Sequence, residues 1–230
     1  MSGGHDHPHD HAHDESSDAP DAGLRAPSAR HRHPFQADTE DSGFDDYQLM
    51  AEAVGELLIE KGVFGAEDLR RTIETIDAIT PAQGARVVAR AWIDPGFRTR
   101  MLADVNAAAA ELGIDAGPIP IRAIANTPGL HNAIVCTLCS CYPRLLIGLP
   151  PDWYKSRAYR SRMVREPRAV LAEFGTVLPE DVAIRVHDST ADLRYLVLPM
   201  RPKGTEGMDE DALAALVTRD CMIGVAAIDR

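Results

Sequence analysis

Apolar positions recur with a helical period along the first part of the chain. Tyr47, Met50, Val54, Leu57 and Leu58 share one face, and Gly62 ends the stripe, which predicts a first helix. Leu69, Ile73, Ile76 and Ile79 form a second stripe, stopped by Thr80-Pro81. Pro81, behind a Thr80 cap, opens a third helix running through Trp92. Asp94-Pro95 repeats that start signal, and Phe97, Met101 and Val105 carry a fourth helix into an alanine run. Residues 43–113 therefore read as a helical arm of four helices. Their stripes are free to pack on each other or on a partner chain.

Beyond Gly113 the elements shorten. Ala133–Val135 reads as a strand running into a cysteine cluster, and Glu166-Pro167 opens a helix that Gly175 closes. Ile184–Val186 and Leu193–Leu198 are rich in branched residues with a polar turn between them, and read as paired strands. Asp209 caps a short helix through Val217, and Cys221–Val225 reads as a last strand. Mixed short strands and helices make residues 114–230 an α+β domain.

Residues 1–42 follow neither period. They hold seven of the nine histidines, nine acids against three basic residues, and only Leu24 and Phe35 as large apolar side chains beyond Met1. Such a segment cannot bury enough apolar surface to offset the entropy of ordering it, so a disordered tail is expected. Its head alternates His5, His7, His9, His11 and His13 with Asp6, Asp10 and Asp14. Imidazole and carboxylate suit divalent late transition metals, so the head is an accessory metal-binding candidate beside the plainer reading of a solubilising tail.

The 230 residues carry a formal net charge of −11, with 45% hydrophobic and 26% charged residues. That acidity argues against a nucleic-acid binder, which needs a basic face toward phosphates. No apolar run approaches the roughly 20 residues of a membrane span, and no secretory signal is visible, so a cytoplasmic protein is expected.

Only four cysteines occur, and three lie in Cys136-Thr137-Leu138-Cys139-Ser140-Cys141. A disulfide framework is excluded and a thiolate metal site becomes the leading question. A structural zinc site would take the three thiolates with His131 or His187. An iron–sulfur cluster would want a fourth cysteine, and Cys221 reads as a buried core thiol. The tripeptide Cys139-Ser140-Cys141 offers another set: two sulfurs and the deprotonated amide nitrogens of Ser140 and Cys141, near one plane, with Cys136 capping one axial position. Amide deprotonation favours a small, highly charged, low-spin ion, Co(III) or Fe(III), over zinc.

This loop resembles that of the nitrile hydratase α subunit and its relative, the thiocyanate hydrolase γ subunit. The similarity extends through Asn126-Thr127-Pro128, the run from Gly148 to Ser156, Tyr159 to Arg165, Leu171 to Gly175 and Thr218-Arg219-Asp220, and covers nearly everything from residue 44 onward. It implies a layered α/β/β/α domain behind the helical arm. It also implies Cys136, Cys139 and Cys141 as sulfur ligands and the Ser140 and Cys141 amides as nitrogen ligands, with Cys139 as sulfinate and Cys141 as sulfenate. Thr137 and Tyr142 resemble the cobalt branch, so non-corrin Co(III) is expected ahead of Fe(III). The family activity implied is addition of water to a C≡N bond, the ion acting as Lewis acid and the Cys141 sulfenate or a water it orients as nucleophile. One or two companion subunits of β type, supplying arginines to the oxidised sulfurs, and a metal-inserting activator are implied as partners.

Arg144 departs from the nitrile hydratase pattern, which usually has tryptophan there, and resembles the thiocyanate hydrolase γ subunit. A guanidinium at a pocket mouth favours an anion. Nitrile hydration is the leading expectation, thiocyanate hydrolysis to carbonyl sulfide and ammonia the alternative, and a non-catalytic metal storage or delivery protein a minor third.

Overall fold

The structure, a computed structural model, describes residues 46–228. The readings made for residues 1–42, including His5, His7, His9, His11 and His13, lie outside those residues.

Helices α1 (Asp46–Glu60) and α2 (Ala66–Asp77) follow the two predicted stripes, and neither buries a single residue. Helix α3 (Ala82–Ile93) is different: Val87, Val88 and Ala91 go into the core. It starts one residue later than the sequence suggests, with Pro81 as the cap rather than the first helical residue, and the Thr80 hydroxyl accepts the Ala82 N–H at 3.4 Å.

The predicted fourth helix is two helices. Helix α4 (Pro95–Ala103) begins at Asp94, whose carboxylate accepts the Phe97 N–H at 2.9 Å. Asp104 then takes an extended backbone and starts α5 (Val105–Glu111), its carboxylate accepting the Ala107 N–H at 3.0 Å. An aspartate competes with the helix for backbone donors and is a strong cap. The apolar period hid this break because Met101 and Val105, on either side of it, are both fully buried.

The second half contains β1 (Ile121–Ala125), β2 (Leu130–Val135), α6 (Arg144–Ile147), α7 (Asp152–Lys155), α8 (Arg157–Arg165), α9 (Pro167–Glu173), β3 (Ala183–Asp188), β4 (Arg194–Leu198), α10 (Glu210–Ala214) and α11 (Arg219–Ile223). The strands form two parallel pairs, β1 with β4 and β2 with β3. The expected pairing of β3 with β4 does not occur. Ser189 instead donates its N–H to Val135 O at 2.7 Å, extending the β2–β3 ladder, and a Thr190 N–H to Leu193 O turn redirects the chain into the other sheet.

Cys221–Val225 is not a strand. Thr218 caps α11, and Gly224 ends it with φ 90°. A five-residue apolar run carries no period of its own, and only the flanking Thr and Gly distinguish the two outcomes.

Two-stranded sheets are marginal alone and need helices against them. Here α4 and α5 pack on β1, α11 on β4 and β2, and α9 on β3, while β2 meets β4 between the pairs. The result is a mixed α+β fold with N-terminal helices and two small parallel sheets. Arg162, only 3% exposed, ties α8 to α9 through a two-pronged bond to Glu173 (2.6 and 3.1 Å) and a 2.6 Å contact to Glu166. Among the described residues no helix is long and apolar enough to cross a membrane.

Candidate metal centre

The cysteine loop leaves the end of β2, so its first residue inherits the burial of the strand. Cys136 is buried, Cys141 half-buried and Cys139 exposed. Their three sulfurs lie within 4.8 Å of one another, Cys139 Sγ being 3.5 Å from Cys136 Sγ and 3.3 Å from Cys141 Sγ. The Cys139 N–H points at Cys136 Sγ, 3.2 Å away.

The register of β2 and β3 anchors the loop. Asp188 stands opposite Val135 at the end of the ladder, so its carboxylate reaches the residues that follow. It accepts the Thr137 N–H at 2.9 Å and the Thr137 hydroxyl at 2.6 Å. Arg160 on α8 donates to Leu138 O at 3.1 Å, and the Tyr154 hydroxyl donates to Cys141 O at 2.9 Å. Tyr159 fixes the approach, donating to Ile134 O at 2.7 Å. Three side chains therefore hold the loop by its backbone and leave its sulfurs free for a ligand.

The donor set fits a metal ion. The neighbouring Cys141 thiol, and then the Cys136 thiol and the backbone N–H groups of Ser140 and Cys141, hold the Cys139 pKa below the ordinary thiol range. Burial, reinforced by the neighbouring thiols, pushes Cys141 up to about 12. Thiols this close cannot all ionise without a cation among them. Three clustered sulfurs beside the non-proline peptides of Ser140 and Cys141 supply the donor types a mixed sulfur and amide chelate requires.

Of the loop donors expected from sequence, the sulfurs of Cys136, Cys139 and Cys141 are brought together. Cys221 stays apart as a buried thiol bonded to Thr218 O at 2.9 Å. His131 and His187 are engaged elsewhere: His131 Nε2 with Gly224 O at 2.7 Å, His187 Nε2 with Asn132 Oδ1 at 3.0 Å. Arg144 and Tyr142 line a cleft of about 140 Å³ with Gly117, Ile119 and Leu145. Thr137 faces Asp188 rather than that cleft.

Five participants were given no role in the sequence reading: Asp188, Arg160, Arg194, Tyr154 and Tyr159. Arg194 begins β4 opposite Ile121, lines the cleft with Arg144, and has a buried Nη1 without a hydrogen-bond partner. Only the strand register brings Asp188 and Arg194 to the loop, and register is not written in local spacing. A larger open hollow of about 680 Å³, between Pro167, Ala172 and Ile184, includes none of the cysteines.

Comparison with known proteins places this architecture. A family model described as "Nitrile hydratase, alpha chain" matches residues 45–226. The chain belongs to that family. It is 46% identical over 193 residues to the thiocyanate hydrolase subunit gamma of Thiobacillus thioparus, covering 79% of each chain. It is 48% identical over 184 residues to the low-molecular weight cobalt-containing nitrile hydratase subunit alpha of Rhodococcus rhodochrous, covering 79% of this chain and 89% of that one. A solved double mutant of the Fe-type nitrile hydratase from Comamonas testosteroni Ni1 superposes with a TM-score of 0.74 at 41% identity, covering 84% of this chain and 92% of that one. Cobalt-containing and Fe-type nitrile hydratases and a thiocyanate hydrolase therefore all stand among the family relatives of this chain.

Proposed function

We propose that this chain is the metal-binding catalytic subunit of a cobalt-type nitrile hydratase, adding water to a C≡N bond to give an amide. The observation that carries the reading is the cluster of three sulfurs within 4.8 Å of one another on the loop at the end of β2. Cys136, Cys139 and Cys141 supply sulfur and the two amides supply nitrogen to a non-corrin Co(III). Thr137 and Tyr142 favour cobalt over Fe(III), and the cobalt-containing relative supports that choice. When bound, the trivalent ion supplies Lewis acidity to the nitrile or to water.

The rest is done by the chain. Asp188, Arg160 and Tyr154 fix the loop backbone so that the sulfur geometry is set before substrate arrives. Oxidised by dioxygen or a peroxide, Cys139, the exposed thiol, would stand as sulfinate and Cys141 as sulfenate, whose oxygen would either orient the water that adds to the nitrile carbon or add to it and be restored from water. One or two companion subunits bring arginines to the oxidised sulfurs, and an activator inserts the metal. The relatives are themselves named as subunits, which supports the need for companions.

A second reading has its own observation. Arg144 and the unpaired Arg194 Nη1 line one cleft, and two guanidiniums there favour an anion such as thiocyanate over a neutral nitrile. Assembled complex is given a neutral nitrile or thiocyanate, with amide and ammonia followed and cobalt measured per chain. Amide from the nitrile supports the first reading. Ammonia from thiocyanate with no amide from any nitrile establishes the second, and tetrahedral zinc with unoxidised thiols defeats both.

A further inference from the structure

Ser189 is a hydroxyl in a costly place. It stands one residue past β3, is only 1% exposed, and its buried Oγ has no formed hydrogen bond among the described residues. A buried hydroxyl without a partner is destabilising relative to alanine, so a serine at this position needs a reason.

Successive side chains of an extended segment point to opposite sides. The exposed Asp188 turns outward to the N–H and hydroxyl of Thr137, at 2.9 and 2.6 Å. Ser189 turns inward, and its own N–H holds Val135 O at 2.7 Å, directly before Cys136. The preceding carbonyl, Ile134 O, is held at 2.7 Å by Tyr159, whose ring lies 5.6 Å from that of Tyr154. Ser189 and the two tyrosines therefore converge on the end of β2.

Tyr154 is fully buried and donates its one phenolic proton to Cys141 O at 2.9 Å. Its oxygen can still accept a bond. Burial first, then Tyr159, Cys136 and Tyr142, push the Tyr154 pKa above its ordinary value, and the Ser189 hydroxyl opposes them as a donor to that oxygen does. A serine hydroxyl rotates to suit a nearby acceptor. Cys141 O and the Cys141 sulfur hang from the same residue, so holding the carbonyl fixes a backbone torsion on which the direction of the sulfur depends.

We infer that Ser189 is a positioning residue for Cys141, its hydroxyl donating to Tyr154 Oη and thereby aiming and strengthening the bond from Tyr154 to Cys141 O. The inference rests on the proposal that Cys141 is the reacting sulfur of a cobalt centre.

The test uses assembled, cobalt-loaded complex carrying Ser189→Ala, Tyr154→Phe or both, changes that remove one hydroxyl each. Tyr154→Phe lowers kcat about tenfold and Ser189→Ala several-fold, while KM stays within about twofold. In both variants the sulfur-to-cobalt charge-transfer absorption shifts in the same direction at unchanged cobalt content, which lost packing alone does not produce. Adding Ser189→Ala to Tyr154→Phe changes nothing further, because the serine acts through the phenol. Wild-type absorption and kcat in Ser189→Ala overturn the inference and leave the cobalt reading standing. An effect of Ser189→Ala that persists undiminished in the Tyr154→Phe background does the same. Wild-type complex that holds no cobalt and turns over neither nitrile nor thiocyanate overturns both. Should Tyr154→Phe fail to fold, the absorption and kcat of Ser189→Ala alone decide.

Discussion

At the scale of single residues, orientation carries as much weight as identity. The amide of Asn126 accepts the Asn132 N–H at 2.8 Å through Oδ1, so its Nδ2 is the atom turned to His131 Nδ1 at 3.4 Å. His131 must then be neutral with its proton on Nε2, donating to Gly224 O at 2.7 Å. Burial holds the pKa of His131 below its ordinary value, and burial followed by the Arg185 charge does the same for His187. A histidine whose folded pKa is depressed takes up protons on unfolding, so stability rises with pH through this window and falls as pH drops below the unfolded value of about 6.5. The thermal midpoint should therefore decline from neutrality toward acid, and the slope should be shallower in His131→Gln, His187 supplying what remains. A slope unchanged by that substitution would remove His131 from the account. Asp188 makes a second case. Asp188→Ala removes both bonds to Thr137, and a loss of about 1–3 kcal/mol is expected together with faster exchange across residues 136–141. Equal exchange in wild type and variant would show that Arg160 and Tyr154 suffice. The cysteines were legible because thiol spacing encodes chelation directly. Asp188 was not, because it is one acid in a chain with 35 acidic residues until the β2–β3 register sets it against Val135.

At the scale of elements, caps decided what periodicity could not. The apolar run beginning at Cys221 is compatible with strand or helix, and Thr218 before it with Gly224 after it selects the helix. Gly224 does more than end α11. It lies at φ 90°, and a Cβ there would come within 2.2 Å of Asn132 O and 2.8 Å of Ala133 Cα on β2. Helix and strand meet through bare backbone, and the same contact brings Gly224 O to His131. Gly224→Ala is expected to cost more than about 3 kcal/mol, from backbone strain and from separating α11 from β2. Chemical denaturation measures this, and a loss under 1 kcal/mol would mean that α11 shifts without consequence. The same reasoning explains the strands. Branched residues at 184–186 and 193–198 announced strands correctly, but a two-element reading pairs sequence neighbours by default. The chain instead passes from β3 to β4 across sheets, which only the bonds from Ser189 and Thr190 determine.

At the scale of the whole molecule, the fold and the metal loop are separable. The core formed by α3, α4, β1, β2, β4 and α11 contains many residues with no exposure, among them Val88, Met101, Ile134, Leu196 and Met222. Of the loop, Cys136 is buried behind the end of β2, whereas Cys139 and Ser140 stand at the surface. A domain that already holds its core does not need the ion to fold, unlike small metal domains whose folding energy is the binding energy. The expected outcome of producing the chain without cobalt, its thiols unoxidised, is unchanged helical circular dichroism and a cooperative melt. Reloading cobalt should raise the midpoint and lower exchange within residues 136–141 more than within β1 or α3, since an ion bound only by the folded state stabilises it by mass action. A metal-free chain that lost its helices would show instead that the loop closes the core, and the sulfur geometry would then be a product of the ion rather than of Asp188, Arg160 and Tyr154.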